Sequence, residues 1–225
     1  MNQAIGQMLT MAVGVALSPI PIIASVLLVS SPRGRLNGPA FVVGCVASTA
    51  IIGGILIAVG VGSGTSESGG PSTGTTSLRF VLGGLLVVMA ARKWRGRPGQ
   101  GEEPAIPKWM GALDGFSPPK SLAAGVVVTG LNPKNLLLVA AGAAAVAGAG
   151  ATPGEEAVAW AIFTLIAIVG VATPVVISFA MGDRSEGLLQ RLRAWMAHNN
   201  NVIMAVILLL IGVKLLGDGL AGLSS

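Results

Sequence analysis

Two polar breaks interrupt apolar stretches of this chain: Leu17-Ser18-Pro19-Ile20-Pro21 and Leu131-Asn132-Pro133-Lys134-Asn135. The second sits in a run from Leu122 to Gly150 that is otherwise almost entirely Gly, Ala, Val and Leu. If that run crosses a bilayer, Lys134 lies too deep to reach either surface, and such a charge normally faces a protein interior or a water-filled cavity. A proline inside a helix removes one donor and clashes with the preceding turn. Pro19 and Pro133 should therefore open their helices and free carbonyls one turn earlier, near Val15 and Thr129. Ser18, Asn132 and Asn135 add side-chain hydrogen bonds, and the restarted helix ends favour anions. A cavity with one Lys and no Asp or Glu is suited to a carboxylate, phosphate or sulfate. The plainer alternative is that Lys134 snorkels and the prolines only kink packed helices.

The surrounding elements read as membrane helices. Of 225 residues, 52% are hydrophobic and only 10% charged, against about 25% charged in soluble domains; the mean hydropathy is +0.79. Tyr is absent and Gly numbers 33, so aliphatic faces should meet lipid while small residues let backbones approach. Apolar spans are expected at 4–30, 39–62, 78–92, 121–149, 156–181 and 201–217, the third and sixth being short for the roughly 20 residues a crossing needs. Snorkelling Arg79, Arg92 and Lys214 could extend them. Met1-Asn2-Gln3 lacks the basic start of a cleavable signal peptide, so the first span is expected to be retained.

Charge alternates from loop to loop. Arg33 and Arg35 mark the first, and Arg92, Lys93, Arg95, Arg97, Lys108 and Lys120 the third. Arg184, Arg191 and Arg193 mark the fifth. The second carries only Glu67 and the fourth only Glu155 and Glu156. Basic loops stay cytoplasmic, which places both termini outside a plasma membrane. The net charge of +5 is thus a topology signal and not a nucleic-acid-binding surface. Ile106, Trp109, Met110, Leu113 and Phe116, and again Leu188, Leu189, Leu192, Trp195 and Met196, repeat at helical spacing. They predict short amphipathic helices at the interface. His198-Asn199-Asn200-Asn201 should break the chain before the last span, an Asn there acting as a helix cap. Thr173-Pro174 is read as a hinge or cavity lining, or as a kink that Thr re-satisfies. Asp114, beside Ser117-Pro118-Pro119-Lys120, is read as a cap or partner for Lys120, or as a cytoplasmic gate.

The breaks also repeat. Pro19 and Pro133 share their offset with Pro39 and Pro153, each of which opens a following span, and the two broken spans run in opposite directions. The expected fold is an all-α integral membrane protein with six transmembrane helices in two inverted three-helix repeats. The halves are 1–92 and 121–225, joined by a basic cytoplasmic loop at 93–120. Such repeats place a site where broken helices meet.

At these residues the chain resembles the lysine-exporter superfamily of small membrane transporters. Within it the closest resemblance is to the actinobacterial sulfolipid- and glycopeptidolipid-addressing proteins. The likeness rests on Ala16-Leu17-Ser18-Pro19-Ile20-Pro21, on Trp109 with Leu113-Asp114, and on Asn132-Pro133-Lys134-Asn135-Leu136. It implies help in moving complex envelope lipids, often beside a large lipid-exporting pump. Carried over by motif, Ser18, Pro19, Pro21, Asn132, Pro133, Lys134 and Asn135 would form the substrate site. Amino-acid exporters of the superfamily typically have Gly where this chain has Ser18 and Ile20, which argues against amino-acid export.

Three functions are therefore weighed: a lipid transporter or transport accessory, an exporter of a small polar metabolite such as an amino acid, and a non-transporting scaffold for a lipid pump. Membrane lipids are the expected partners, and the thin bundle suggests a homodimer. An enzyme is not expected, because no nucleophile neighbours the one His and no carboxylate pair is present. The single Cys45 excludes a dithiol. No metal site, no cofactor and no nucleotide-binding loop are read from the sequence.

Overall fold

Prolines set the element boundaries. Pro19, Pro118, Pro133 and Pro153 each open a helix after an extended cap residue: Ser18, Ser117, Asn132 and Thr152. At that first position the missing N–H is no loss and the fixed φ already suits a helix. A computed structural model describes residues 2–60, 73–97 and 108–221. Its helices are α1 (Asn2–Ala16), α2 (Pro19–Val29), α3 (Gly34–Ala58), α4 (Thr73–Arg95), α5 (Pro118–Gly130), α6 (Pro133–Ala147), α7 (Pro153–Met181) and α8 (Glu186–Ala221). Lys108–Gly115 and Gly182–Ser185 form 3₁₀ turns. All regular structure among the described residues is helical.

The two expected breaks are present. α1 and α2 meet at 48°, and α5 and α6 at 70°. α3 and the run Pro153–Ala221 are long and apolar enough to cross a membrane, and counting each bent pair as one crossing gives up to four. α4 carries Arg79 near its start and Arg92, Lys93 and Arg95 in its last turn. The outer faces are apolar: Val43, Ile51 and Ile55 of α3, Leu165 and Val176 of α7 and Leu210 of α8 are all more than half exposed.

Close backbone contact holds the bundle together. A Cβ on Gly44 of α3 would lie 2.1 Å from the Leu122 carbonyl oxygen, and one on Gly125 of α5 would lie 2.2 Å from that of Phe41. Further along, a Cβ on Gly130 would lie 2.6 Å from Ser48 Oγ, so α3 and α5 run in parallel with their backbones touching, as small residues permit. α4 and α8 cross in the opposite sense through Gly83 and Gly212. Met11, Leu86, Leu138, Phe163 and Leu208 are fully buried in the main core, where Phe163 stacks on Trp160 at 4.3 Å.

Three local expectations change. The stripe around Leu113 forms a 3₁₀ turn that packs against α2, with Leu113 fully buried; Ile106 lies outside the described residues. The stripe around Leu189 is not a separate interfacial helix but the first half of α8, which runs unbroken through His198–Asn201. Leu189 and Met196 pack inward while Leu188 and Trp195 face out. Asn201 caps a neighbour instead of its own helix, donating to the Gly96 carbonyl just past α4. Pro39 lies inside α3, which begins at Gly34, so only Pro153 opens its helix. Glu67 lies outside the described residues.

Candidate functional site

The first break is built by its own backbone. The N–H of Leu17 bonds the Val13 carbonyl, and that of Ser18 bonds Val15 at 3.1 Å. Because Ser18 tightens to the residue three back, the Gly14 carbonyl loses its helical donor, and Val15, expected to be free, does not. Lys134 fills the vacancy: its Nζ donates to the Gly14 oxygen at 2.6 Å. The ammonium thus caps the C-terminal end of α1, where the backbone dipole favours a cation.

The second break positions that lysine. Asn132 caps α6 by accepting the Lys134 N–H on its side-chain oxygen at 3.1 Å. Lys134 is then the second residue of a restarted helix and points back toward α1. The next residue, Asn135, accepts the Ser18 hydroxyl on Oδ1 at 2.7 Å. Ser18, Lys134 and Asn135 are almost wholly buried. Two cross-links, Ser18 to Asn135 and Lys134 to Gly14, therefore tie the two breaks together. Pro19 and Pro21 fill the first turn of α2 and are buried, while Pro133 begins α6 and remains exposed. Two of the three Lys134 donors have no partner among the described residues.

α7 backs the first break. A Cβ on Gly170 would lie 2.0 Å from the Ala16 carbonyl oxygen, and Ser25 of α2 donates to the Val171 carbonyl at 2.7 Å. Pro174 is buried four residues further on, and α7 continues through it. The Thr173 hydroxyl is exposed and bonds back to Val169 at 2.7 Å; it is not brought to the breaks. Asp114 lies in the 3₁₀ turn, and its side chain is outside the described residues.

Beside the second break opens a cavity of about 770 Å³, within the range of small-molecule sites. Asn132, Pro133 and Lys134 line it at the break, and Lys93 and Lys120 also line it. At the far end of α1, Gln7 donates to Asp218 Oδ2 at 2.9 Å, and Lys214 pairs with the same oxygen at 2.9 Å. Lys214, expected to snorkel, pairs with Asp218 one turn nearer the end of α8. No group of three or more His, Cys, Asp or Glu able to hold a metal occurs among the described residues.

Sequence reasoning missed Gly14, Ser25 and Gly170. Their roles depend on which helix lies against which, and only the excess of small residues hinted at them. It expected a cavity with one lysine, whereas Lys93 and Lys120 line the cavity together with Lys134.

The family described as Sap, sulfolipid-1-addressing protein, matches residues 8–221, and the chain belongs to that family. No curated protein and no solved structure matches it.

Proposed function

We propose that this protein is a plasma-membrane transporter or transport accessory that moves an envelope (glyco)lipid, or its precursor, from one leaflet to the other. The lipid headgroup is held where the two broken helices meet. The observation that carries this reading is the pair of cross-links between breaks, with a buried ammonium beside an apolar cavity. An acidic headgroup competes with the Gly14 carbonyl for Lys134. Once that contact and the Ser18–Asn135 bond are released, α1–α2 and α5–α6 can move against each other. The sulfate of a sulfolipid is an anion of the kind such a site would take, in keeping with the family's description.

In this reading the chain makes six crossings in two inverted halves, as in the lysine-exporter superfamily. The pairing of helices supports it: α3 packs on α5 as α7 packs on α1, and α3 meets α6 as α7 meets α2. The orientation with both termini outside is supported by charge. The first and fifth loops share one pocket at one end, lined by Arg33 and Arg35 from the first and by Asp183 and Glu186 from the fifth. Glu155 and Glu156 lie at the other end, beside Ile5 and Met8. The apolar cavity walls favour a lipid over a free amino acid. A lipid-exporting pump and a second copy of this chain are the partners proposed with it.

The test is translocation of a fluorescent sulfated glycolipid in vesicles containing the purified protein. Wild type should expose the lipid to an external quencher faster than empty vesicles, and Lys134→Ala should not. Equal rates for wild type and Lys134→Ala would rule out the headgroup site. A wild type no faster than empty vesicles would rule out unaided transport.

A further inference from the structure

The cavity runs the whole length of α5. Its lining residues there are Lys120, Ala123, Ala124, Val127, Val128 and Leu131, spaced three and four apart so that they form one stripe down the helix. Met89 of α4 and Met204 of α8 close the opposite wall, and methionine adapts readily to irregular apolar guests. From Lys120 to Leu131 the helix rises about 16 Å, about half of a 30 Å hydrocarbon core. Lys93, in the basic last turn of α4, and Lys120, in the first turn of α5, lie at helix ends joined by the basic loop. No Asp or Glu occurs among the described lining residues.

From this stripe and its lysines, we infer that the cavity is a loading site for one acyl chain of an anionic lipid. The acidic head sits at Lys93 and Lys120, and the chain runs along α5 to the break at Leu131–Lys134. The charges match the head, the walls match the chain, and the depth matches one leaflet. Its head position, at Lys93 and Lys120, is distinct from the one at the breaks and precedes it, although Asn132, Pro133 and Lys134 line the same cavity, so it rests on the lipid reading above. Lys93 and Lys120 choose the lipid by charge, while the length of the α5 stripe limits how deeply its chain enters.

Purified full-length protein is titrated with a fluorescent phosphatidic acid and with the matching neutral diacylglycerol. Changing Lys93 and Lys120 together to Gln should weaken phosphatidic acid by roughly tenfold, since each exposed ion pair is modest, and leave diacylglycerol unchanged. Ala123→Trp, at an exposed lining position, should weaken both. The inference is overturned if wild type binds neither probe saturably, if Ala123→Trp binds both as wild type does, or if the Gln variant loses both equally. Saturable, charge-selective binding without translocation in vesicles would uphold this site and overturn unaided transport. Translocation indifferent to all three positions would do the reverse.

Discussion

Replacing Lys134 with Met separates what the lysine contributes to stability from what it contributes to function. The substitution keeps an unbranched stem and removes Nζ. Two opposing terms set the outcome. The Gly14 carbonyl, which receives Nζ at 2.6 Å, is left unsatisfied in a buried setting, at a cost of about 1–3 kcal/mol. Against this, a buried ammonium carries a desolvation penalty of several kcal/mol, which a single carbonyl and a helix terminus offset only in part. The group left behind is neutral, so no uncompensated charge remains. The net expectation is a variant as stable as wild type or more stable, by about 0–4 kcal/mol. At about 2–4 °C per kcal/mol for a chain of this size, the thermal midpoint in detergent should hold or rise. Lipid translocation should fall to the protein-free rate. A midpoint more than about 6 °C lower would refute the reasoning, because it would mean that the Lys134–Gly14 bond holds the fold.

Three further outcomes follow. Ser18→Ala and Asn135→Ala should each destabilise, and their double-mutant cycle should give a coupling of about 1 kcal/mol; additivity in unfolding would deny the bond between the breaks. Gly125→Ala should cost about 1–3 kcal/mol or more, because its Cβ meets the Phe41 carbonyl oxygen at 2.2 Å, whereas Gly154→Ala faces open space and should be neutral; equal melting of the two variants would contradict the α3–α5 contact. The Thr152 N–H and hydroxyl hold the Glu155 carboxylate below its usual value of 4.5. The folded pKa is thus the lower one, so this stabilisation is present above 4.5 and lost as pH falls through the folded value. Thr152→Ala removes the hydroxyl bond and keeps the larger backbone one, so it should reduce that acid-side loss in part in a pH series of unfolding midpoints.

The breaks were legible because their residues act locally. Pro fixes its own φ and lacks its own donor, and Asn132 caps the helix that follows it, so Asn132-Pro133-Lys134 announces its geometry without reference to the rest of the chain. The same logic failed at His198–Asn201. A run of Asn reads as a break, but Asn201 serves the end of α4 instead, and no local pattern records that partner. Gly14 was invisible for a related reason. Which carbonyl goes free depends on whether Ser18 pairs three or four residues back, and the sequence favours neither. The glycine excess predicted close helices; that Gly44 meets Leu122, and Gly170 meets Ala16, needed the assembled bundle.

The unbroken α8 has a mechanical consequence. Its 36 residues make a rod of about 54 Å, well beyond the roughly 30 Å hydrocarbon core. With no hinge at its middle, a tilt of about 10° swings the far end of such a rod by about 9 Å. Asn201 couples the rod to the end of α4, and Asp218 couples it to Gln7 at the start of α1. A push on the basic end of this protein, by a lipid or by another protein, is therefore transmitted as lever motion to the opposite face of the bundle.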